Sequence, residues 1–310
     1  MKTKISIKRS WIFRFLSIVL IFSLILTDLP NPVASLISDI NVQTEAAEDS
    51  PYIIEEVTQA REKYSKTFLQ SNNEYISIVT TDALHYDDRG EWKDIDNTLE
   101  IVIDAKENTK YYTNKQNSLK LKLPEELNSE EKIELVYGRH RLLFGIEDIP
   151  TKAVAKVDEL KEIILIEKQE KTARDYAKLE QKSSGLEYRD VYPDTDIRYR
   201  VEPESLKEEI ILKRKPKSPV TYRYTLQTDG LEAILNEDGS VTVYEGEREN
   251  VIFFLPAPFM YDNEQIYETN IKVNLISIAK SEYILEYIPD YEWLTEETRQ
   301  YPVVIDPVIK

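Results

Sequence analysis

The chain has 310 residues, no cysteine, and 57 acidic against 40 basic side chains, a formal net charge of −17. Without cysteine there is neither disulfide nor thiolate chemistry, so stability has to come from buried apolar surface. The negative charge disfavours a nucleic-acid backbone and repels anionic wall polymers and lipid head groups, so no nucleic-acid partner is expected.

The first segment reads as an export signal. Lys2, Lys4, Lys8 and Arg9 precede FLSIVLIFSLILT, a 13-residue run from Phe15 to Thr27, and Pro30 and Pro32 follow it. A spanning helix needs about 20 apolar residues, so the run is short for an anchor. Small residues at Val33-Ala34-Ser35 or Thr44-Glu45-Ala46-Ala47 offer cleavage sites, and the second is favoured, giving a signal peptide over 1–46. A retained N-terminal anchor is the competing reading. Cleavage after Ala46 removes five basic and three acidic residues, lowering the charge from −17 to −19. The expected location is secreted and cell-wall-associated, with no stable membrane span after cleavage. About 260 residues remain, enough for one large or two medium domains that bury roughly 70–75% of their unfolded surface.

Residues 47–60 read as a flexible lead-in and 61–152 as a first β-rich domain. Glu74–Thr80 alternates, and Asp88-Arg89-Gly90 turns the chain between His85-Tyr86 and Trp92-Lys93. Ser118–Leu123 places Leu119, Leu121 and Leu123 on one face, and Ile133–Tyr137 with Arg141–Ile146 form a pair around Gly138. Residues 153–184 are dense in Lys and Glu and lack Gly and Pro, so they read as a charged linker or helix, most helical over 167–181. Residues 185–310 resume strand punctuation. Ile197, Tyr199 and Val201 alternate, and Glu208–Lys213, Thr221–Gln227, Val251–Leu255, Ile271–Ile276, Tyr283–Ile288 and Val303–Ile305 are further strands. Asp238-Gly239 is the strongest hairpin turn. The predicted fold is mainly β: two antiparallel sandwich-like halves joined by a charged helical or linker segment, after an N-terminal signal helix.

Catalytic signatures are sparse. The two histidines, His85 and His140, lie far apart in sequence, and there is no G-x-S-x-G elbow or glycine-rich phosphate loop. Zinc lacks a ligand pattern. The best candidate site is the acidic stretch Asp87, Asp88, Glu91, Asp94 and Asp96, with Asn97, whose oxygens suit calcium. The competing reading gives these residues to local backbone N–H groups at a turn. Tyrosines with Trp92 or Trp293 can stack on sugars, although packing is the favoured use of such rings. A carbohydrate-active alternative needs two carboxylates facing across a cleft, about 5–9.5 Å apart. No catalytic or cofactor-binding residue is assigned, and the chain is expected not to be an enzyme.

Seven ordered segments carry a resemblance: SKTF (65–68), ALHYDDRGEWKDIDNTL (83–99), YRDVYPDTDIRYRV (188–201), KEEIILK (207–213), LNEDGSV (235–241), LPAPFMYD (255–262) and YPVVIDPVI (301–309). Together they resemble the N-terminal region of Gram-positive wall-associated RHS/YD-repeat proteins and related DNRLRE-domain secreted proteins. The resemblance implies a non-catalytic, β-rich structural or interaction segment, with cell-wall components or downstream domains of the same protein as partners. In such proteins DNRLRE modules, YD repeats and a variable toxin follow the last segment. This sequence ends one residue after Ile309, so a fragment, a truncated product lacking repeats and toxin, and a stand-alone copy remain open. The alternative function is a secreted carbohydrate-binding or carbohydrate-active β-sandwich protein.

Overall fold

The computed structural model describes residues 51–105, 109–165 and 178–310. The expected signal peptide, 1–46, lies outside them. The described residues fall into two compact units, residues 51–81 and residues 82–165 with 178–310.

The unit of residues 51–81 is a three-stranded antiparallel sheet of Ile53–Glu56, Ser65–Gln70 and Tyr75–Val79. Tyr75 and Val79 are exposed while Ile76 and Ile78 are half-buried, as the alternation of this stretch requires. The lead-in expected over 47–60 is corrected over 51–60, its first four residues lying outside the described residues. Ile53–Glu56 pairs with the Ser65–Gln70 strand and Thr58–Ala60 forms a 3-10 turn. The neighbouring strand edge satisfies backbone groups that a flexible segment leaves to water, and Arg61 Nε anchors Glu56 at 2.7 Å.

The larger unit is a sandwich. One layer runs, strand beside strand, through Leu119–Pro124, Ile133–Tyr137, His140–Ile146, Tyr222–Gln227, Glu282–Pro289 and Ile271–Ala279, all antiparallel. The other runs through Ala153–Leu165, Lys178–Tyr192, Thr195–Val201, Leu206–Leu212, Val303–Asp306, Phe259–Tyr261 and Tyr267–Glu268. The unit also holds a long antiparallel pair of Asp96–Asp104 with Thr109–Gln116, a small sheet of Glu232–Leu235, Val241–Tyr244 and Val251–Leu255, a hairpin of His85–Asp88 with Glu91–Asp94, and the short strands Glu126–Leu127 and Val308–Ile309. The inner faces meet through aromatic rings, with Phe144 6.3 Å from Tyr199 and Tyr192 5.9 Å from Tyr222. Period-two alternation selects the buried set: Leu119, Leu121 and Leu123 from one layer, Ile197, Tyr199 and Val201 from the other. Each large apolar side chain so buried contributes about 1.5–3 kcal/mol.

The mainly β architecture agrees with the sequence reading, but residues 82–152 of the first half join the second half in one sandwich: His140–Ile146 pairs directly with Tyr222–Gln227. The charged helix or linker expected over 153–184 is also corrected. Ala153–Leu165 and Lys178–Tyr192 are strands paired from Ala155↔Tyr188 to Leu165↔Lys178. The cross-strand ladder, anchored by fully buried Leu186 and Tyr188, overrides local propensity. Residues 167–177 of that expectation lie outside the described residues. The one α-helix among the described residues is Tyr291–Thr295, started by Asp290, whose carboxylate accepts from the N–H groups of Glu292 and Trp293.

Candidate functional site

The acidic stretch forms the hairpin expected of it, turning at Arg89 (φ 60°) and Gly90 (φ 91°), a positive-φ pair suited to a tight hairpin. The carboxylates do not converge. Strand pleating places Asp87 and Asp94 on one face and Asp88 and Glu91 on the other. Asp87 accepts from the Gly90 N–H at 2.5 Å, and Asp96 from the Thr98 N–H at 3.0 Å. Asp88 pairs with Lys93, whose hydrogen bond and charge hold its pKa below the usual carboxylate value. Asp94 lies 3.5 Å from His85 Nε2, and buried Asn97 accepts from Asn114 and Asn117. Among the described residues no group of three or more His, Asp or Glu is placed to hold a metal ion. His140 lies apart from this hairpin, 3.9 Å from Glu245.

The aromatic candidates separate as well. Trp293 is buried under the Arg299 guanidinium, 3.4 Å from its ring centre, while Trp92 is half-buried in the hairpin. A cleft of about 440 Å³ beside the small sheet is lined by Leu235, Asn236, Glu237, Arg248, Ser277 and Tyr283, among others. Glu237 is the one carboxylate in its lining, so the facing pair of a glycoside hydrolase is not formed there.

The chemically richest surface is the outer face of the second layer. On Leu206–Leu212, the even-numbered side chains Leu206, Glu208, Ile210 and Leu212 point into the core, so Lys207 and Glu209 point outward. Register sets Glu187 beside Arg198, Arg198 beside Glu209, and Arg200 beside Lys207. Glu209 then takes Arg198 at 3.5 Å, Lys207 at 3.6 Å and Arg200 at 3.8 Å, and Lys207 reaches Asp306 at 2.7 Å. Burial raises the Asp306 pKa, and the Lys207 ammonium opposes that rise. Asp306 is 3% exposed, and its Oδ1 and the Arg200 Nε are buried without a hydrogen-bond partner among the described residues.

Next to these charges stand three rings. Phe259 pairs in register with Asp306, and Tyr261 with Tyr267. Met260 is fully buried in the core, so Phe259 and Tyr261 on either side of it face outward. The ring centres are 5.5–6.1 Å apart with planes inclined by 28–36°, and Tyr267 is 59% exposed. Burial, then the charge of Glu209, raises the Tyr261 hydroxyl pKa. These residues are not among the candidate site residues predicted from sequence. Their signal was parity: F-M-Y, with one core residue between two outward rings, and K-E-E, with charges on both faces.

On the inner side, Glu208 is buried between the layers and accepts from the Tyr199 hydroxyl at 2.5 Å. Burial pushes its pKa up to about 7. Burial, and then the Glu208 charge, also raise the pKa values of the Tyr199, Tyr224 and Tyr287 hydroxyls.

No family model matches the chain, and no solved structure matches it significantly. Among curated proteins it is similar to the tRNA nuclease WapA of Bacillus subtilis strain 168, at 28% identity over 81% of this chain and 10% of that protein. It is also similar to the tRNA3(Ser)-specific nuclease WapA of Bacillus spizizenii, at 26% identity over 97% of this chain and 13% of that protein. A third relative, the "Wall-associated protein" of Geobacillus stearothermophilus, is 21% identical over 67% of this chain and 75% of its own length. The chain thus spans about a tenth of the length of the WapA relatives.

These relatives correct two expectations. The reading of a chain that is not an enzyme and has no nucleic-acid partner is overturned, because the WapA relatives are named as nucleases acting on tRNA. Net acidity is a property of the whole surface and does not decide what a small site or a linked region acts on. The extracellular, wall-associated location agrees with the wall-associated relative. Among the described residues no helix is long and apolar enough to cross a membrane.

Proposed function

We propose that this chain is the wall-associated, β-built segment of a WapA-like tRNA nuclease system, which holds and presents that activity at the cell surface. The observation that carries the reading is the similarity across 97% of the chain to a WapA nuclease, together with similarity to a wall-associated protein. The sandwich supports it: a disulfide-free double layer with an interlocked aromatic core gives a rigid body for display outside the cell. The finer relation to RHS/YD-repeat and DNRLRE-domain proteins belongs to the same proposal.

Fractionation of cells producing the epitope-tagged chain tests the location. Recovery with the washed wall is expected, and recovery confined to cytoplasm or culture medium overturns it. Incubating the purified chain with total tRNA tests the activity: cleavage products place the nuclease within these residues, and intact tRNA places it in a linked region.

A further inference from the structure

We propose that the outer face formed by Phe259, Tyr261 and Tyr267 with Lys207, Glu209 and Asp306 binds an uncharged saccharide chain of the cell wall. The proposal deepens the wall-associated reading and rests on it for the source of the ligand. Three arguments converge on this chemistry.

The rings come first. Phe259, Tyr261 and Tyr267 form a continuous aromatic patch on the solvent side of the sheet, with Tyr267 59% exposed. Exposed clustered rings of this kind are unnecessary for the core, which Met260 and Ile305 already fill from the opposite face. Aromatic faces accept the apolar C–H faces of pyranose rings, and tyrosine adds a hydroxyl at the rim.

The second argument is an unused polar atom beside the patch. Asp306 Oδ1 is buried without a hydrogen-bond partner among the described residues, a deficit that a ligand donor would remove. It is an acceptor, the function that sugar hydroxyl and acetamido N–H groups complement. Asp306 is in register with Phe259, so this atom adjoins the rings.

Charge is the third. The chain carries −17 overall, yet the cations of this face, Arg198, Arg200 and Lys207, each lie within 4 Å of a carboxylate of Glu187, Glu209 or Asp306. Cations already paired with carboxylates on an acidic protein give no advantage to phosphate-rich polymers and accept a neutral one.

Calorimetric titration of the purified chain with a tetramer of N-acetylglucosamine, and with glycan strands stripped of peptide and teichoic acid, tests the site. Both ligands should bind, and Tyr267→Ala should weaken binding about tenfold or more. Tyr267 is exposed, so this variant keeps the fold, which its circular dichroism and melting temperature verify. Tyr261→Ala should act in the same direction, and Tyr75→Ala, an exposed tyrosine of the other unit, should bind as the parent does. Absence of binding to both glycans, or equal affinity of Tyr267→Ala and parent, overturns the proposal. So does sedimentation showing a dimer that Tyr267→Ala dissolves, because a second copy then occupies the face. A chain retained in the wall fraction that binds no glycan sinks this inference and leaves wall association standing. A glycan-binding chain absent from the wall fraction does the reverse.

Discussion

The Tyr199 hydroxyl donates to Glu208 Oε1 at 2.5 Å from the directly paired position on the next strand, with both side chains buried between the sandwich layers. A carboxyl in that environment keeps its proton to higher pH than it does in water, because burial penalises the charged form.

The pH dependence of stability follows. Glu208 titrates near 7 in the folded chain against 4.5 for the free group, so between those values the folded state holds a proton that the unfolded state has released. Its contribution to stability is complete below about 4.5 and is lost as pH rises through 7. Glu208→Gln has no such proton to lose. In urea unfolding the variant should match the parent near pH 5 and exceed it by up to roughly 3 kcal/mol at pH 8. A difference that is independent of pH, or that grows toward acid, refutes this.

Tyr199→Phe removes the donor and keeps the ring against Phe144 and Tyr188. The loss should be about 1.5–3 kcal/mol at pH 8, where the carboxylate is charged, and smaller at pH 5. Combined with Glu208→Gln in a double-mutant cycle, the two changes should be strongly non-additive at pH 8.

Gly145 stands opposite Thr225 in the ladder joining the two halves of the sequence. A Cβ at this position falls 2.8 Å from Thr225 Oγ1, inside contact distance. Gly145→Ala should therefore cost about 1–3 kcal/mol. Thr225→Ala clears the obstruction, so the double variant should regain most of the loss in a thermal melt, whereas independent effects would add.

Arg299 joins Asp262 at 3.1 Å, with side chains 3% and 0% exposed, and covers Trp293. Backbone N–H groups of Glu264 and Ile266 also reach Asp262. Burial pushes the Asp262 pKa up, but these donors and the guanidinium together hold it below the usual carboxylate value. Arg299→Met leaves the buried carboxylate without its cation and should destabilise by about 3 kcal/mol, with a shift in Trp293 emission. Arg299→Lys should recover only part, because an ammonium lacks the planar fork that spans ring, carboxylate and carbonyl together.

Much of the architecture is legible wherever burial imposes strict alternation. Leu119-x-Leu121-x-Leu123 and Ile197-x-Tyr199-x-Val201 show in sequence which face they bury. The Lys- and Glu-rich strands around Val157 and Leu186 do not, because their conformation comes from pairing with each other and not from local composition. The outward ring cluster and the inward Glu208 share one cause of invisibility. In K-E-E-I-I-L the two glutamates are identical as letters, and only the parity linking Leu206, Glu208 and Ile210 assigns one to the core. The acidic hairpin was found as a turn, but its carboxylates are divided between two faces by a pleat that a list of acidic positions does not register.

Val303–Asp306 lies in the interior of its layer, flanked by Leu206–Leu212 on one side and Phe259–Tyr261 on the other. A growing polypeptide that stops short of residue 303 therefore has an open seam down its middle, with Ile210 and Met260 missing their shared neighbour Ile305. Synthesis order thus postpones closure until nearly all of the described sequence exists.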